Sequence, residues 1–365
     1  MRIPLFFLFF LCHFYGVKTY KYPEEGKHHP DSVTKETILA NYDKFRPKEE
    51  VNVLRETLVF VTPWNPVGYH RAIASAKSIS IVSPVWFQID HSKNSEDVEV
   101  TGMNHIDKSF IKKLRKQNPA IQIVPRIYFP VWNKRELKKL YSETKSSEIG
   151  EHIADFCITN RLNGALFDFT AVLQSIPVEE RIFFIEGLGQ MSKALRKRNL
   201  MAILSIPAPV QSKQDPLVSS EHLAAVIDSV DFIQVCTYDY YGLTVDGLYG
   251  ISPLFWIQQN IDYLYDFKHK LLIGLNFYGY KRDDKKLTPI HGLEYIKFVK
   301  NDNYTLHFEP KTMEHVLVNE ITESLPVYYP SLSSLELRIM LADRYGLGIA
   351  IWDYGQGLDY FGNLI

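Results

Sequence analysis

The residues of this chain that could do chemistry sit at the ends of short apolar runs. Asp168 and Thr170 close one run, and Tyr238, Asp239, Tyr240 and Tyr241 follow another. Trp64 and Tyr69 come after a third, Trp86 after a fourth, Phe129 and Trp132 after a fifth, Tyr278 after a sixth, and Trp352 ends the last. A single aromatic residue at a strand end is ordinary core. Aromatics at six of eight such ends form a pattern with a use. Their flat faces carry an indole N–H or a phenol O–H, which suits a sugar ring with its C–H face and hydroxyl edge. Carboxylates beside them could accept sugar hydroxyls or amides, and could take part in acid–base work if paired.

These residues need a scaffold that brings strand ends to one rim. Strand-like runs are predicted at Leu58–Thr62, Ser80–Val85, Ile121–Arg126, Ala165–Phe169, Ala202–Ile206, Phe232–Tyr238, Leu271–Phe277 and Gly348–Trp352. Several are apolar throughout, as parallel strands covered on both faces should be. Helical patterns lie between them. One follows Pro177, carries Ile182, Ile185 and Leu188, and ends in Arg196-Lys197-Arg198; another spans Ser331–Tyr345 and stops at Gly346. Eight βα units imply a closed barrel or a large doubly wound sheet. The turn Thr62-Pro63-Trp64-Asn65-Pro66 is the wrong chemistry for cradling a pyrophosphate, so the expected fold class is α/β, a (β/α)8 TIM barrel. The span from about Tyr280 to Pro330 is too long for a loop and predicts a small insertion after strand seven, on the barrel top.

Ahead of the barrel, Met1 and Arg2 precede an apolar run, Ile3 to Leu11, with Gly16 and Val17 before Lys18. This reads as a signal peptide over residues 1–18; the run is too short for a membrane anchor. Residues 19–52 read as a polar N-terminal arm, and 53–365 as the barrel. Cys12 leaves with the signal, and Cys157 and Cys236 fall on an outer helix and a strand, which predicts two free, buried thiols. Asn303-Tyr304-Thr305 is a glycosylation sequon. Lys plus Arg number 41 against 42 Asp plus Glu, a net charge of −1, which gives no reason to expect nucleic acid as the partner.

The fourth-strand segment Asn163-Gly164-Ala165-Leu166-Phe167-Asp168-Phe169-Thr170, with Thr237-Tyr238-Asp239-Tyr240, Gly274-Leu275-Asn276-Phe277-Tyr278-Gly279 and Trp352, resembles the glycoside hydrolase family 18 barrel of chitinases and chitinase-like lectins. Val61-Thr62-Pro63-Trp64-Asn65, Ser83-Pro84-Val85-Trp86, Ile123-Val124-Pro125-Arg126 and Gly355-Gln356-Gly357-Leu358-Asp359-Tyr360-Phe361 resemble most a receptor-interacting, chitinase-like branch of that family. Each motif is weak alone; their order is specific. The resemblance implies a family motif Asp-Gly-x-Asp-x-Asp-x-Glu. Its final Glu protonates the glycosidic oxygen while the substrate's N-acetyl group attacks the anomeric carbon, the substrate-assisted exception to the two-carboxylate scheme. In this chain Asn163, Leu166 and Thr170 replace three of the four carboxylates and Asp168 remains. A threonine hydroxyl is far too weak an acid for that task.

The expectation is therefore a catalytically silent barrel that binds N-acetylglucosamine-type or other microbial glycans, lipopolysaccharide among those the resemblance allows. Trp64, Trp86, Asp168, Tyr238, Asp239, Tyr278 and Trp352 are the expected saccharide-binding residues, and no catalytic residue is expected. The competing readings are a glycosidase that uses Asp239 or Asp353 as its acid, and a scaffold for a scavenger-type receptor. The resemblance also implies secretion with endosomal or lysosomal residence. No cofactor is expected and no metal, because His28-His29 and Met103-Asn104-His105-Ile106-Asp107 lack a zinc ligand pattern. The basic runs Lys112-Lys113-Leu114-Arg115-Lys116 and Arg196-Lys197-Arg198 read as solvated helix faces.

Overall fold

The computed structural model describes residues 29–365, apart from residues 52, 92–97, 212–214, 241–249, 284–285 and 322–325. The expected signal peptide, the start of the arm and Tyr241 lie outside the described residues. Parallel strands β1 (Thr57–Val61), β2 (Ile81–His91), β4 (Gln122–Ile123) with β5 (Arg126–Tyr128), β6 (Gly164–Asp168), β7 (Met201–Pro207), β8 (Phe232–Cys236), β9 (Leu271–Asn276) and β15 (Gly348–Trp352) form the staves of a barrel. Closure is made by β1, which pairs with β15 on one side and β2 on the other. The third stave is split because Pro125 has no N–H to give the ladder; its carbonyl accepts from the Leu166 N–H at 2.9 Å. Strand β3 (Val98–Thr101) pairs antiparallel with the end of β2, which makes β2 far longer than its sequence run suggests.

Helices α1 (Lys35–Asn41), α2 (Pro66–Ala74), α3 (Lys108–Gln117), α4 (Lys134–Lys139), α5 (Glu143–Thr159), α6 (Thr170–Ser175), α7 (Arg181–Lys197), α8 (Ser220–Val226), α9 (Leu254–Tyr263), α10 (Gly292–Val299) and α11 (Leu332–Tyr345) complete the chain. The segments predicted after Pro177 and over Ser331–Tyr345 are α7 and α11. Gly346 ends the latter at φ +68°, a left-handed turn that costs glycine little. The insertion is a five-stranded antiparallel sheet, β11 (Lys286–Ile290), β10 (Gly279–Asp283), β14 (Val327–Tyr328), β13 (Glu314–Asn319) and β12 (Tyr304–Glu309) in that order, with α10 inside the span.

Strand alternation splits the core in two. Leu58, Phe60, Ile81, Val85, Val124, Leu166, Ile203, Leu272 and Ala350 fill the barrel lumen, with Trp352 packed against them. Their neighbours along each strand point outward and form the larger core under the helices. With the lumen plugged, the strand C-terminal ends are left to carry chemistry. Gly164 opens β6 at φ +154°, where an added Cβ would lie 2.0 Å from the Met201 carbonyl oxygen.

The residues after position 29 are more ordered than the polar composition suggested. Pro30 is buried, α1 inserts Ile38 into the main core, and the Lys35 ammonium donates to the Asn301 and Tyr304 carbonyls at 2.8 and 2.7 Å. The buried His315 on β13 lies 3.2 Å from the Pro30 carbonyl through Nε2 and 2.8 Å from Ser331 Oγ through Nδ1. A carbonyl can only accept, so Nε2 carries the hydrogen and Nδ1 accepts from the serine. A charged stretch can still dock when a helix presents one well-placed Ile and a lysine finds carbonyls to satisfy.

Two predictions follow from this packing. Gly164→Ala should lower unfolding free energy by about 2 kcal/mol or more in urea titrations, since backbone rather than a movable side chain blocks the methyl. Burial pushes the His315 imidazole down from 6.5 to about 4. Between those values the unfolded chain binds a proton that the folded chain refuses. The contribution is therefore intact above about pH 6.5 and is lost as pH falls to about 4, by up to about 3 kcal/mol. Stability measured against pH should flatten over that window in His315→Gln; an unchanged slope would assign the acid sensitivity elsewhere.

Candidate functional site

At the C-terminal rim, β6 delivers Asp168 two residues beyond Leu166, on the lumen face. The next stave is in register so that Arg126 faces Leu166 and Tyr128 faces Asp168. Arg126 therefore leans up one rung. Its Nε donates to Asp168 Oδ2 at 2.8 Å and its Nη2 lies 2.6 Å from the same oxygen. The other carboxylate oxygen accepts the Thr170 N–H at 3.3 Å as α6 begins. Both partners are mostly withdrawn from solvent, with side chains 17% and 19% exposed, so the pair is screened less than a surface ion pair. The Arg126 guanidinium stands 4.9 Å from the Tyr128 ring centre and 5.8 Å from that of Trp352. Trp352 in turn meets Phe60 edge-on at 5.0 Å.

Beyond β8, the Tyr238 hydroxyl donates to Cys236 Sγ at 3.4 Å, and its ring meets Tyr278 at 6.2 Å. Burial, the Cys236 thiol, Asp239 and Asp168 together push the Tyr238 hydroxyl well above its ordinary range, so it acts as a hydrogen-bond donor and not as a base. Burial also pushes the Cys236 thiol up. Both described cysteines are free, Cys157 buried and Cys236 partly so. Asp239 adopts φ +58°, a left-handed position that aspartate tolerates. Its Oδ1 accepts from the Tyr278 and Tyr280 hydroxyls at 2.5 and 2.8 Å.

Among the expected site residues, Asp168 and Trp352 are joined through Arg126, and Tyr238, Tyr278 and Asp239 form a second group; both lie at the strand C-terminal end of the barrel. Trp64 lies on the loop after β1, 66% exposed. Trp86 does not belong to the rim. Because β2 continues to His91, Trp86 falls at a bulge within the strand, is buried, and donates its indole N–H to the Tyr69 hydroxyl at 2.7 Å. It belongs to the core under the helices, and its partner Tyr69 on α2 in turn meets Phe110 of α3. Phe129, Trp132 and Tyr240 are likewise core residues, so the aromatic rim is narrower than the sequence pattern. Asn163 sits at the opposite end of β6 from Asp168. Its Oδ1 accepts from the Ile123 N–H at 2.9 Å and Arg115 Nη2 at 3.0 Å, a structural duty. Asn303 is exposed in the turn before β12.

The alternative acids are engaged elsewhere. Asp353 is fully buried beneath its own loop, accepting from Thr62 Oγ1 at 2.9 Å, the Gly355 N–H at 2.7 Å and Gln356. Burial raises its carboxyl, yet alternation points it away from the lumen that Trp352 faces. Asp239 is held by two phenols. The residue that sequence reasoning missed is Arg126. It was already the end of the predicted third strand, two residues after lumen-facing Val124, and alternation would have turned it toward the lumen.

This eight-stave barrel with its inserted sheet matches a known family. The family model for glycosyl hydrolases family 18 matches residues 56–357. The chain belongs to that family. A curated relative, an uncharacterized glycosylase of Bacillus subtilis (YvbX), is 22% identical over 220 residues, covering 58% of this chain and 64% of that protein. Among solved structures, a chitinase from Chromobacterium violaceum superimposes with a TM-score of 0.71 at 18% identity, covering 85% of this chain and 97% of its own. A Cycas revoluta family 18 chitinase mutant in complex with (GlcNAc)4 gives a TM-score of 0.67 at 14% identity, covering 85% of this chain and 98% of its own. These likenesses establish the barrel architecture. Among the described residues no helix is long and apolar enough to cross a membrane.

The ion pair at the rim of this family 18 barrel can be tested as a pair. Arg126→Met should destabilise by about 1–3 kcal/mol because it leaves a half-buried carboxylate alone. Arg126→Met with Asp168→Asn should recover most of that loss. A double-mutant cycle in urea showing simple additivity would mean the two side chains do not depend on one another.

Proposed function

We propose that this protein is a catalytically silent family 18 barrel that binds N-acetylglucosamine-type oligosaccharides at the strand C-terminal rim. The observation that carries the proposal is the fate of the single lumen carboxylate. Asp168 gives one oxygen to Arg126 and the other to the Thr170 N–H, while Leu166 fills the place below it as part of the lumen core. Hydrolysis by the family route needs a carboxylic acid tuned by a second carboxylate. Here the acid position is Thr170 and the tuning position is Leu166, and a guanidinium clamps what is left. Loss of a placed general acid costs on the order of a hundred- to ten-thousand-fold in rate. Binding makes no such demand. Trp352 backed by Phe60 offers a flat floor, and Tyr238, Tyr278 and Asp239 supply polar groups at the same end of the barrel, the combination that suits a sugar ring.

The proposal includes secretion through the N-terminal apolar segment, glycosylation at Asn303, endosomal or lysosomal residence and a scavenger-type receptor as partner. These parts rest on sequence and resemblance.

Purified protein should release no fluorophore from a fluorogenic chito-oligosaccharide, and Thr170→Glu alone should not restore turnover, because Arg126 and Leu166 still leave the new acid without a carboxylate partner. Chitotetraose should give measurable heat on titration, and Trp352→Ala should weaken it by about tenfold or more. Steady turnover by the unmodified protein would overturn the catalytic half of the proposal. Absence of heat at millimolar oligosaccharide would overturn the binding half.

A further inference from the structure

The two basic runs look alike as strings, and the fold separates them. At the end of α7, Arg196 Nε lies 3.4 Å from Asp231, and Arg198 reaches Asp155 at 2.9 Å and Glu151 at 3.3 Å. Both arginines of that run are thus neutralised by their neighbours. On α3, Lys108, Lys112 and Arg115 recur at i, i+4 and i+7 and so share one helix face. Across from them Arg161 follows the end of α5, held at φ +57°, a left-handed conformation uncommon for arginine. Together with Thr159 and Asn160 these four cations line a cavity of about 730 Å³ on the outside of the barrel, and among the described residues no carboxylate lines it.

The cations there are free to bind. Lys108, Lys112 and Arg161 are exposed and have no side-chain hydrogen bond or ion pair among the described residues. Arg115 is fixed from behind. Its Nη2 donates to the Arg161 carbonyl at 2.8 Å and to Asn163 Oδ1 at 3.0 Å, which orients the guanidinium without cancelling its charge. Four unpaired positive charges around one cavity, in a chain whose net charge is −1, concentrate potential locally. Like charges this close repel, and a polyanion would relieve that repulsion.

The lining also says which polyanion. None of the described lining residues is aromatic, so nucleic-acid bases find no stacking platform among them. Ile111, the lining apolar side chain, is 7% exposed, so an anionic membrane would gain no apolar insertion. The cations run along the helix from Lys108 to Arg115, about 10 Å at the helical rise, and Thr159 and Asn160 supply neutral hydrogen-bonding groups beside them. The geometry points to this trench as a binding site for a linear sulfated polysaccharide, separate from the barrel rim, with Lys108, Lys112, Arg115 and Arg161 meeting its sulfate groups. Salt should weaken the contact, since bound counterions are released when the chain docks.

The test uses the full chain on immobilised heparin as the sulfated probe. Wild-type protein should be retained at about 0.1 M NaCl and elute as salt screens the contact. Lys108→Gln, Lys112→Gln and Arg161→Asn combined should weaken heparin binding by about tenfold or more; asparagine keeps the left-handed turn, and circular dichroism melting verifies folding. Lys197→Gln with Arg198→Gln should leave binding unchanged, and excess chitotetraose should not displace the protein. Failure of the wild type to bind heparin, equal binding by the triple variant, displacement by chitotetraose, or equally tight binding to duplex DNA of matched charge would each overturn the assignment.

Discussion

Closure of the parallel sheet governs what this chain can do. Once β1 bonds to both β2 and β15, every strand residue is committed either to the lumen or to the layer under the helices. The lumen is packed solid with aliphatic side chains and Phe60, so no substrate passes through it. A polar side chain that alternation turns inward near the C-terminal end of a strand has one surface to serve. Arg126, Asp168 and Trp352 are placed by that rule and by little else, which is why side chains from three separate strands meet around one guanidinium.

Within that frame the rim is organised around a charge and its neutralisation. A carboxylate at the lumen mouth is costly unless it is paired or hydrogen-bonded. Leu166 lies beneath Asp168 in the lumen core, and the Arg126 guanidinium alongside supplies the pairing. Cation–π contacts of the same guanidinium with Tyr128 and Trp352 tie that pair to the aromatic floor, so charge and platform are one unit. The tyrosines opposite keep their protons because burial makes the phenolate expensive, and they can therefore only donate or share hydrogen bonds.

The outer surface obeys a different logic, because water screens it and partners decide what a charge is worth. Two basic helix ends of similar composition end up with opposite characters. One finds Asp231, Asp155 and Glu151; the other faces a second helix end that contributes another arginine. Docking of residues 30–41 depends likewise on contacts made far along the chain, with His315 and the carbonyls of Asn301 and Tyr304.

The amino-acid sequence by itself determined the barrel. Eight short apolar runs separated by helical patterns admit few packings, and burial on both faces of a strand is written directly in its composition. The inserted sheet was visible as a span too long for a loop, and the lumen-facing placement of Leu166 and Asp168 was legible because strand alternation is local. What only the tertiary structure decided were relations between residues distant in the chain. Trp86 reads as a rim aromatic until β3 extends β2 past it. Arg126 reads as a strand end until the stave register sets it beside Asp168. Lys112 and Arg198 read alike until their neighbours arrive. In each case the deciding quantity is a distance across the fold, which periodicity along a strand or helix does not encode.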